Sequence, residues 1–372
     1  MAKRKTNLGK SPVRRTRPKS PTLAELRKIE RQVVTLMSSH ARLVKKLAKS
    51  EHETIQAAVE PLAMESRLAA LAEATKGPIE SLTVKRILLE LARAEAALLA
   101  PVSVSYLGPQ YSYSHLAAME RFSATATLTP VATIATVFED VHEGRTSFGL
   151  VPLENSTDGR VVDTLGMFTR LPVRICGEVQ LRIHHNLLSQ GPAEKIREIH
   201  SKPQALSQCR QWLTKHFPQA RLIHAASTTE AARLASTKPA IAAVASLPAA
   251  EEYGLQVVAA NIEDNPDNIT RFAVIGDSPS PRVRGAKTSL MCEISHRPGG
   301  LADIMAIFKR NRLNLTWIES FPLPGRAQEY LFFIELEGHQ LEPRVKRALG
   351  SLQQKSVRLE ILGSYPSSPP LS

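Results

Sequence analysis

Residues 147–153 of the chain read Ser-Phe-Gly-Leu-Val-Pro-Leu and run directly into the polar sequence Glu154-Asn-Ser-Thr157. A short apolar run that ends at a polar loop is typical of a buried strand. The same pattern recurs three times, at residues 102–108, 240–246 and 270–276. Helix-like stretches lie between these runs, at residues 114–122, 203–213 and 228–236. This alternation predicts an α/β domain over residues 102–277, with ligands bound in a crevice where the strands end.

The sequence after residue 277 has a different but equally regular order. Pro279, Pro281 and Gly285 mark a linker. Six segments follow in the order strand, helix, strand, strand, helix, strand, at residues 288–295, 299–311, 313–321, 329–338, 340–352 and 357–365. This order predicts an α+β, ferredoxin-like domain over residues 287–365, a fold that by itself does not determine function.

Residues 21–100 have a helical pattern, with apolar residues at intervals of three and four along the first part. The predicted helices run from Leu23 to Leu47, from Pro61 to Gly77 and from Ile79 to Leu99. Three helices with few aromatic residues make a thin core. We therefore predict an all-α domain that pairs with another copy of the chain.

The composition of the 372 residues limits the class of protein. With 43% apolar and 22% charged residues, the chain is typical of a soluble, multidomain globular protein. It contains no uncharged apolar run of about 18 residues, which excludes a transmembrane helix. Its basic start lacks the apolar segment of a secretory signal. The three cysteines are far apart and lack metal-site spacing, so we expect a cytoplasmic protein without metal or other cofactor.

Much of the net charge of +13 lies at the start of the chain. Residues 1–20 contain eight Lys and Arg and no acidic residue, which leaves 40 basic against 35 acidic residues, a net +5, for the remainder. The segment contains prolines and no aromatic residue, so we predict a disordered basic tail. A solvated tail and a nonspecific contact with anions both remain open. No motif for nucleic-acid binding accompanies the charge.

Six short segments within residues 102–277 contain polar residues and glycines that the fold alone does not require. They are Tyr106-Leu-Gly-Pro-Gln-Tyr-Ser-Tyr-Ser-His115, Gly149-Leu-Val-Pro-Leu-Glu-Asn-Ser156, Gly177-Glu-Val-Gln-Leu-Arg-Ile-His-His185, Ser201-Lys-Pro-Gln-Ala-Leu-Ser-Gln208, Ala249-Ala-Glu-Glu-Tyr-Gly254 and Asn268-Ile-Thr-Arg-Phe272. In this order they resemble the prephenate dehydratase family. Residues 287–365 resemble the ACT regulatory module of the same enzymes, and residues 21–100 resemble the chorismate mutase domain of the bacterial bifunctional P-protein.

The resemblance implies a two-lobed, periplasmic-binding-protein-like central domain and a carbon–oxygen hydro-lyase of L-phenylalanine biosynthesis. Prephenate would lose CO2 and its ring hydroxyl to become phenylpyruvate. The implied catalytic residues are Thr270, as proton donor, with Asn155, Ser201 and Gln208. Because a Thr hydroxyl is a poor acid in water, this role depends on positioning and on a polarised hydrogen-bond network. A non-catalytic, amino-acid-sensing binding protein is the alternative from another class.

The resemblance also implies donors for the two substrate carboxylates. These are Ser112, Tyr113, Ser114, Ser156 and Thr157. Arg271 is either a bidentate carboxylate clamp or a structural ion-pair residue beside Glu263 or Asp264, and both readings are open. His115 is assigned to the cap region of a helix and not to catalysis. Tyr111 stands where the family usually has Gly, so we expect this loop to bend differently.

In the ACT-like region, Arg297-Pro-Gly-Gly-Leu301 and Glu319-Ser-Phe-Pro322 correspond to the family's PGAL and ESRP segments. The resemblance therefore implies feedback inhibition by phenylalanine and a homodimer or tetramer. The implied effector-binding residues are Gly299, Gly300, Leu301, Glu319 and Ser320. Phe321 replaces the family's Arg and removes a charge.

In the chorismate rearrangement, negative charge grows on an ether oxygen, and the resemblance implies several cations that stabilise it. The mutase-like region lacks most of these cations. In the gapless register that best matches the first helix, the expected cationic positions hold Leu23, His40 and Glu51, and a second-helix Arg and its acidic partner fall on Ala63 and Met64. We therefore predict a domain kept for dimerisation with weak or absent mutase activity. A shifted register would make the enzyme fully bifunctional and would draw its charges from Arg27, Arg42, Lys49 and Arg67.

We expect the full chain to convert chorismate barely faster than buffer, because the loss of one charge-stabilising donor typically costs about 100- to 1,000-fold. A chorismate-disappearance assay measures this. Turnover near ~10 s⁻¹, the ordinary enzyme scale, would contradict the register. Sedimentation of fragment 21–100 should nevertheless show a dimer, because the apolar stripe from Leu23 to Leu47 needs burial.

Overall fold

The computed structural model describes residues 22–50, 68, 70–74, 76–99, 102–122, 126–277, 282, 285–322, 330–368 and 370–371. Several predictions lie outside the described residues: the basic tail 1–20, the start of the second helix, Glu51, Ala63, Met64, Arg67, and the linker residues Pro279 and Pro281. No helix within the described ranges is long and apolar enough to cross a membrane.

Helix α1, Leu23–Ser50, confirms the first predicted helix. A capping box begins it: Oγ1 of Thr22 accepts from the backbone N of Glu25 at 3.3 Å, and Oε2 of Glu25 accepts from the backbone N of Thr22 at 2.8 Å. These bonds satisfy two N–H groups that a first turn leaves unpaired. Leu26 and Ile29 are 52% and 56% exposed, so the helix presents an apolar stripe.

The other helical predictions for residues 21–100 are met where the structure describes them. Residues 70–74 are helical, and helix α2 spans Ser81–Leu99, two residues later than predicted from Ile79. Leu68 and Ala92 are buried in one small cluster. A helical N-terminal region is therefore present.

Two lobes with separate sheets make up the central region. In lobe 1 the elements are β1 Ser103–Leu107, α3 Tyr113–Phe122, β2 Thr127–Val131, α4 Ile134–His142, β3 Phe148–Asn155, β4 Gly159–Arg160, α5 Val162–Phe168, β5 Arg174–Arg182 and β11 Ile269–Gly276. In lobe 2 they are β6 Asn186–Ser189, β7 Glu198–Ser201, α6 Pro203–Gln208, α7 Arg210–His216, β8 Arg221–His224, α8 Thr228–Ala235, β9 Ile241–Ala245, α9 Leu247–Glu252 and β10 Gln256–Ala259. The chain crosses between the lobes at residues 183–185 and returns at residues 260–268, as in a two-lobed α/β fold.

The lobe 1 sheet has the order β5-β11-β3-β1-β2, with β4 paired to β3. The lobe 2 sheet has the order β10-β6-β9-β7-β8. In lobe 1, β11 lies between β3 and β5 and pairs with both strands in the antiparallel direction. This central position fixes the strand that bears the Thr-Arg-Phe segment.

The C-terminal region follows the predicted βαββαβ order. Its elements are β12 Ala286–Glu293, α10 Gly300–Arg310, β13 Leu315–Pro322, β14 Tyr330–Glu337, α11 Pro343–Lys355 and β15 Arg358–Pro366, and its sheet has the order β13-β14-β12-β15. One face of this sheet packs on its own helices through residues such as Leu290 and Ile304. The other face packs on lobe 1, where Phe333 shares a core with Val151 and Ile275.

The close approach of β15 to lobe 1 requires a glycine at position 363. A Cβ on Gly363 would lie 1.9 Å from the carbonyl oxygen of Ile175. Just beyond, the backbone N of Ser368 donates to Oε1 of Glu178 at 2.9 Å, and β16, Pro370–Leu371, pairs with β5. The chain therefore returns to lobe 1 after completing the C-terminal sheet.

We expect Gly363→Ala to destabilise the protein by at least about 1–3 kcal/mol, because the added methyl group meets rigid backbone. Chemical denaturation of the full chain measures this. Gly350→Ala is the matched control, because its Cβ has no neighbour within 4 Å. In the middle of α11 this change should stabilise by about 0.5–1 kcal/mol. Equal stability of the two variants would contradict the close packing of β15.

Candidate active site

The antiparallel pairing of β3 and β11 places Asn155 directly opposite Thr270. Nδ2 of Asn155 donates to Oγ1 of Thr270 at 2.8 Å and to Oδ1 of Asn268 at 2.9 Å. Its Oδ1 accepts from the backbone N–H groups of Thr157 and Asp158, at 2.9 and 3.0 Å. These bonds fix the orientation of the amide. Because Thr270 accepts a hydrogen bond from it, the Thr270 hydroxyl is polarised and free to donate its own hydrogen.

Gln208, at the end of α6, connects lobe 2 to the hydrogen bonds around Asn155. Its Nε2 donates to Oδ2 of Asp158 at 2.6 Å, and its Oε1 accepts from Nδ2 of Asn268 at 3.1 Å. Gln204, one turn earlier, also donates to Asp158. A continuous set of hydrogen bonds therefore runs from Thr270 in lobe 1 to Gln208 in lobe 2.

The network continues to Tyr113 through His185. Nε2 of His185 lies 2.8 Å from Oε1 of Gln208, and its Nδ1 lies 2.9 Å from the Tyr113 hydroxyl. Burial lowers the pKa of His185, which favours the neutral ring. Because Oε1 of Gln208 can only accept, the ring proton belongs on Nε2, and Nδ1 then accepts from Tyr113. The single hydrogen of the Tyr113 hydroxyl is therefore shared between Nδ1 of His185 and the carbonyl of His184, which accepts at 2.8 Å.

The remaining predicted substrate donors lie on two segments next to this network. Ser112 and Ser114 flank Tyr113 at the start of α3, where Oγ of Ser112 accepts from the backbone N of His115 at 3.3 Å. Ser156 and Thr157 follow Asn155, and Oγ of Ser156 accepts from the backbone N of Ile269 at 2.9 Å. Each segment is thus tied to a secondary-structure element.

The Ser201 side chain is separated from this network. Its hydroxyl is fully buried and donates to the carbonyl of Val244 at 2.6 Å, between β7 and β9 of lobe 2. This bond fixes the end of β7 from which α6 and Gln208 follow. The sequence motif therefore places Ser201 next to the cleft, but its hydroxyl is engaged within the lobe 2 sheet.

Arg271 does not line the cleft, so of its two predicted roles the carboxylate clamp is wrong. Neighbouring residues of a strand point to opposite faces, so Arg271 faces away from the side of Thr270. Its Nη1 lies 2.9 Å from Glu154, and its Nη2 lies 3.1 Å from Glu178 and 2.5 Å from Glu335 of the C-terminal sheet. The guanidinium is therefore a structural ion-pair residue.

Glu263 and Asp264, the ion-pair partners predicted for Arg271, are also wrong. Glu263 instead accepts from the backbone N of His185 at 2.9 Å and contacts Nδ1 of His184 at 2.7 Å. Asp264 accepts from two backbone N–H groups in the first turn of α7, at 2.9 and 3.0 Å. Both carboxylates shape the return crossover between the lobes.

Arg271 belongs to a buried cluster of charges that joins lobe 1 to the C-terminal sheet. Lys287 on β12 lies 3.2 Å from both Glu178 and Glu335, and the Tyr365 hydroxyl donates to Glu335 at 3.1 Å. Burial alone would raise the pKa of Glu335, but Arg271 and Lys287 outweigh it and lower the pKa. Glu335 is therefore held ionised inside the interface.

Tyr111, the departure from the family's Gly, has a backbone φ of 63°, in the left-handed region that favours glycine. Its backbone N donates to Nδ1 of His115 at 3.0 Å, and its carbonyl accepts from Oγ of Ser246 at 3.0 Å. The Tyr111 ring packs edge-on against the His115 ring. These contacts hold a conformation that is unusual for a tyrosine.

The predicted effector residues lie at one end of the C-terminal sheet. β12 and β13 both run antiparallel to β14, so their C-terminal ends share an edge. Gly299, with a φ of 78°, and Gly300 begin α10 there, and Glu319 and Ser320 are near the end of β13. In place of the family's Arg, Phe321 packs edge-on against Phe333 and towards lobe 1.

Sequence reasoning missed four residues of the network: Asn268, Asp158, His184 and His185. Three of them lie inside the quoted family segments, but nothing in the sequence indicates which side chains meet. Asp158 lies just beyond one of these segments, and its contact with α6 spans 50 residues of chain.

A metal site needs at least three ligand side chains close together, and no such cluster of His, Cys, Asp and Glu exists among the residues that the structure describes. Cys176, Cys209 and Cys292 are all buried, and none of the three forms a disulfide. Burial raises the pKa of the Cys209 thiol, so it is a poor nucleophile.

Comparison with known families and with curated proteins matches the chain to prephenate dehydratases. The family model for prephenate dehydratase matches residues 104–280. A protein of Pseudomonas aeruginosa named bifunctional chorismate mutase/prephenate dehydratase is 35% identical over 347 residues, which cover 91% of this chain and 95% of that protein.

Two solved structures are similar over 72% of this chain. One is a prephenate dehydratase from Arthrobacter aurescens in complex with L-Phe, with 32% identity and a TM-score of 0.65 over 90% of that chain. The other is described as GqqA, a novel type of quorum quenching acylase, with 31% identity and a TM-score of 0.66 over 98% of that chain.

We expect Glu335→Gln to cost about 1.5–3 kcal/mol of folding stability near neutral pH, because it removes one carboxylate partner from each of two buried cations, Arg271 and Lys287. The folded pKa of Glu335 lies below its ordinary 4.5. Its contribution is therefore present above about pH 4.5 and is lost as the pH falls through the folded pKa.

Denaturant unfolding of the variant and the wild type at several pH values measures this difference. Glu337→Gln is the matched control, because Glu337 lies on the same strand but is exposed. A gap between Glu335→Gln and wild type that stays constant from neutral to acid pH would contradict the charge-based explanation.

Proposed function

The chain belongs to the prephenate dehydratase family, and on that premise we propose that it converts prephenate to phenylpyruvate in phenylalanine biosynthesis. The C4 hydroxyl of prephenate accepts a proton and leaves as water. The bond between the ring and the C1 carboxylate breaks, CO2 departs, and the electron pair completes the aromatic ring. One proton is consumed, so the essential task of the enzyme is to deliver it to the leaving oxygen.

The hydrogen bond from Asn155 to Thr270 is the observation that supports this proposal most directly. Three other hydrogen bonds hold the amide, so it polarises the Thr270 hydroxyl without needing to reorganise. In this mechanism, Thr270 donates to the departing hydroxyl. Asn155 is the residue that orients Thr270.

The substrate is a dicarboxylate, and its binding favours donors that do not lose their protons near neutral pH. Thr157 offers its hydroxyl next to Asn155, and Ser114 offers its hydroxyl at the start of α3. The hydroxyls of Ser112, Tyr113 and Ser156 already donate to the carbonyls of Leu107, His184 and Asp267, so they fix the segments that carry these donors. Gln208 contributes from lobe 2 by holding Asp158 and Asn268. Ser201 supports this arrangement through its bond within lobe 2 and does not act as a donor to substrate.

Two other activities are less well supported by the site. Acyl transfer, suggested by the GqqA resemblance, needs a hydroxyl or thiol nucleophile activated by a base. Among the described residues of the cleft, the ring nitrogens of His185 hydrogen-bond to the phenol of Tyr113 and the amide of Gln208, which do not form such a pair. A non-catalytic amino-acid sensor has no need for a polarised Thr270.

The flanking regions complete the proposal. Residues 21–100 form a mutase-like domain with weak or absent activity, residues 102–277 the dehydratase domain, and residues 287–365 an ACT regulatory domain. The similarity to the L-Phe complex supports inhibition by phenylalanine at Gly299, Gly300, Leu301, Glu319 and Ser320. The named bifunctional relatives, matched over most of the chain, favour a fully bifunctional enzyme as the second candidate.

We expect Thr270→Val to lower kcat for prephenate by about 100-fold or more with little change in KM, because it removes the proton donor and keeps the shape of the side chain. Formation of phenylpyruvate, followed by its absorbance, measures both constants. Thr270→Ser retains a hydroxyl and is the matched control. A valine variant as fast as wild type would overturn the assignment of Thr270, and a wild-type protein that forms no phenylpyruvate would overturn the proposed function.

A further inference from the structure

The side chain of Tyr111 belongs to lobe 1 in the sequence but packs on lobe 2. Tyr111 lies in the loop between β1 and α3, and its ring packs against a cluster whose buried members all belong to lobe 2. Its carbonyl accepts from Oγ of Ser246, which directly precedes α9, at 3.0 Å. Glu252, the last residue of α9, raises the pKa of Tyr111 by accepting a hydrogen bond from its hydroxyl. We call these three interactions the Tyr111–α9 contact.

Lobe 1 holds Tyr111 in place from the other side. Its backbone N donates to Nδ1 of His115 at 3.0 Å, and its ring meets the His115 ring edge-on, with 5.5 Å between the centroids. The His115 ring in turn stacks at 5.2 Å on Tyr106, which is buried in the core of lobe 1. Three rings therefore connect that core to the Tyr111–α9 contact. The φ of 63° at Tyr111 costs free energy, and such a conformation persists only where its surroundings enforce it.

The Tyr111–α9 contact is separate from the hydrogen bonds that join the lobes through Gln208. Gln208 ends α6 and reaches the loop after β3, whereas Tyr111 precedes α3 and reaches α9. The chain itself joins the lobes at residues 183–185 and 260–268. The noncovalent contacts across the cleft therefore decide how much of the protein has its two lobes closed together.

We propose that Tyr111 is a positioning residue of the dehydratase reaction, which keeps the cleft closed by holding lobe 1 against α9 of lobe 2. The kinetic part of this inference rests on the proposed function, and the contact between the lobes does not. When the cleft opens, Gln208 moves away from Asp158 and Asn268, so the network that orients Thr270 loses its connection to lobe 2. The closed arrangement is therefore the one that binds prephenate productively.

The proposal determines how the two kinetic constants divide. When only a fraction of the molecules is closed, the apparent affinity for substrate is reduced by that fraction. Loss of the Tyr111–α9 contact lowers the fraction, so KM rises. A saturated molecule is closed and has its network intact, so kcat stays the same. A ring that merely fills space would lower the free energy of unfolding on its removal and leave KM unchanged.

Tyr111→Gly and Ser246→Ala weaken the contact from opposite lobes, and phenylpyruvate formation by the full-length chain measures the effect. Glycine suits the φ of 63°, so Tyr111→Gly is expected to fold. Its KM for prephenate should rise about 5-fold or more, the scale of one lost aromatic or hydrogen-bonded contact, with kcat within about 2-fold of wild type. Ser246→Ala leaves the lobe 1 loop unchanged, and its KM should rise in the same direction.

Two further variants serve as controls. Tyr111→Phe keeps the ring and loses only the hydrogen bond to the exposed Glu252, so its KM should stay close to that of wild type. Phe217→Ala removes a partly buried ring that packs on lobe 2 from within that lobe. This change should lower stability and leave both kinetic constants as in wild type.

A distance measurement tests the contact without catalysis. Spin labels on Glu120→Cys in α3 and Lys215→Cys in α7 report on one exposed position in each lobe, and the three native cysteines are buried. With Tyr111 present, one distance between the labels should dominate. Tyr111→Gly should add a second distance, and saturating prephenate should remove it.

A Tyr111→Gly variant with the KM and the label distance of wild type would overturn the proposal while the proposed function stands. A fall in kcat at unchanged KM would overturn it as well, because Tyr111 would then act on the chemical step. If wild type forms no phenylpyruvate, the proposed function fails, and the second distance alone decides whether Tyr111 holds the lobes together.

Discussion

The buried guanidinium of Arg271 is the constraint on which the arrangement of lobe 1 and the C-terminal sheet depends. It lies next to Thr270 on β11, and strand geometry sends the two side chains to opposite faces. Glu154 and Glu178 approach it from lobe 1 and Glu335 from the C-terminal sheet. If the sheets separated, buried charges would lose their partners, which costs far more than the pair gains by forming. The catalytic strand and the C-terminal sheet therefore behave as one body.

This constraint explains why the Thr270 hydroxyl is held so firmly. β11 is hydrogen-bonded to β3 and β5 on its two edges, and it is fixed through Arg271 on one face. The opposite face bears Thr270. There, the amides of Asn155 and Asn268 and the Thr270 hydroxyl are oriented by hydrogen bonds to one another. Such donors stabilise charge when they are already oriented, and the network around Asn155 supplies that orientation.

The elements and three residues of the central hydrogen-bond network were predictable from the sequence, and the long-range partners were not. Hydrophobic periodicity is a local property, so α1, the α/β alternation and the βαββαβ order could be read directly. The resemblance placed Asn155, Gln208 and Thr270 in one cleft because its segments preserve residue types. Arg271 was misassigned because its partner Glu335 is 64 residues away, and no local pattern indicates which face meets another sheet. Likewise, no local pattern indicates that the Ser201 hydroxyl donates to the carbonyl of Val244 on β9, a neighbouring strand of its own lobe.

The central claim is that Asn155 acts through Thr270, by orienting and polarising its hydroxyl. A double-mutant cycle on kcat with Asn155→Ala, Thr270→Val and the double variant tests this directly. The account predicts that the double variant is no slower than Thr270→Val alone, because the amide has no further role once the hydroxyl is gone. Losses in the two single variants that multiply in the double variant would contradict it and show that Asn155 acts on the substrate independently.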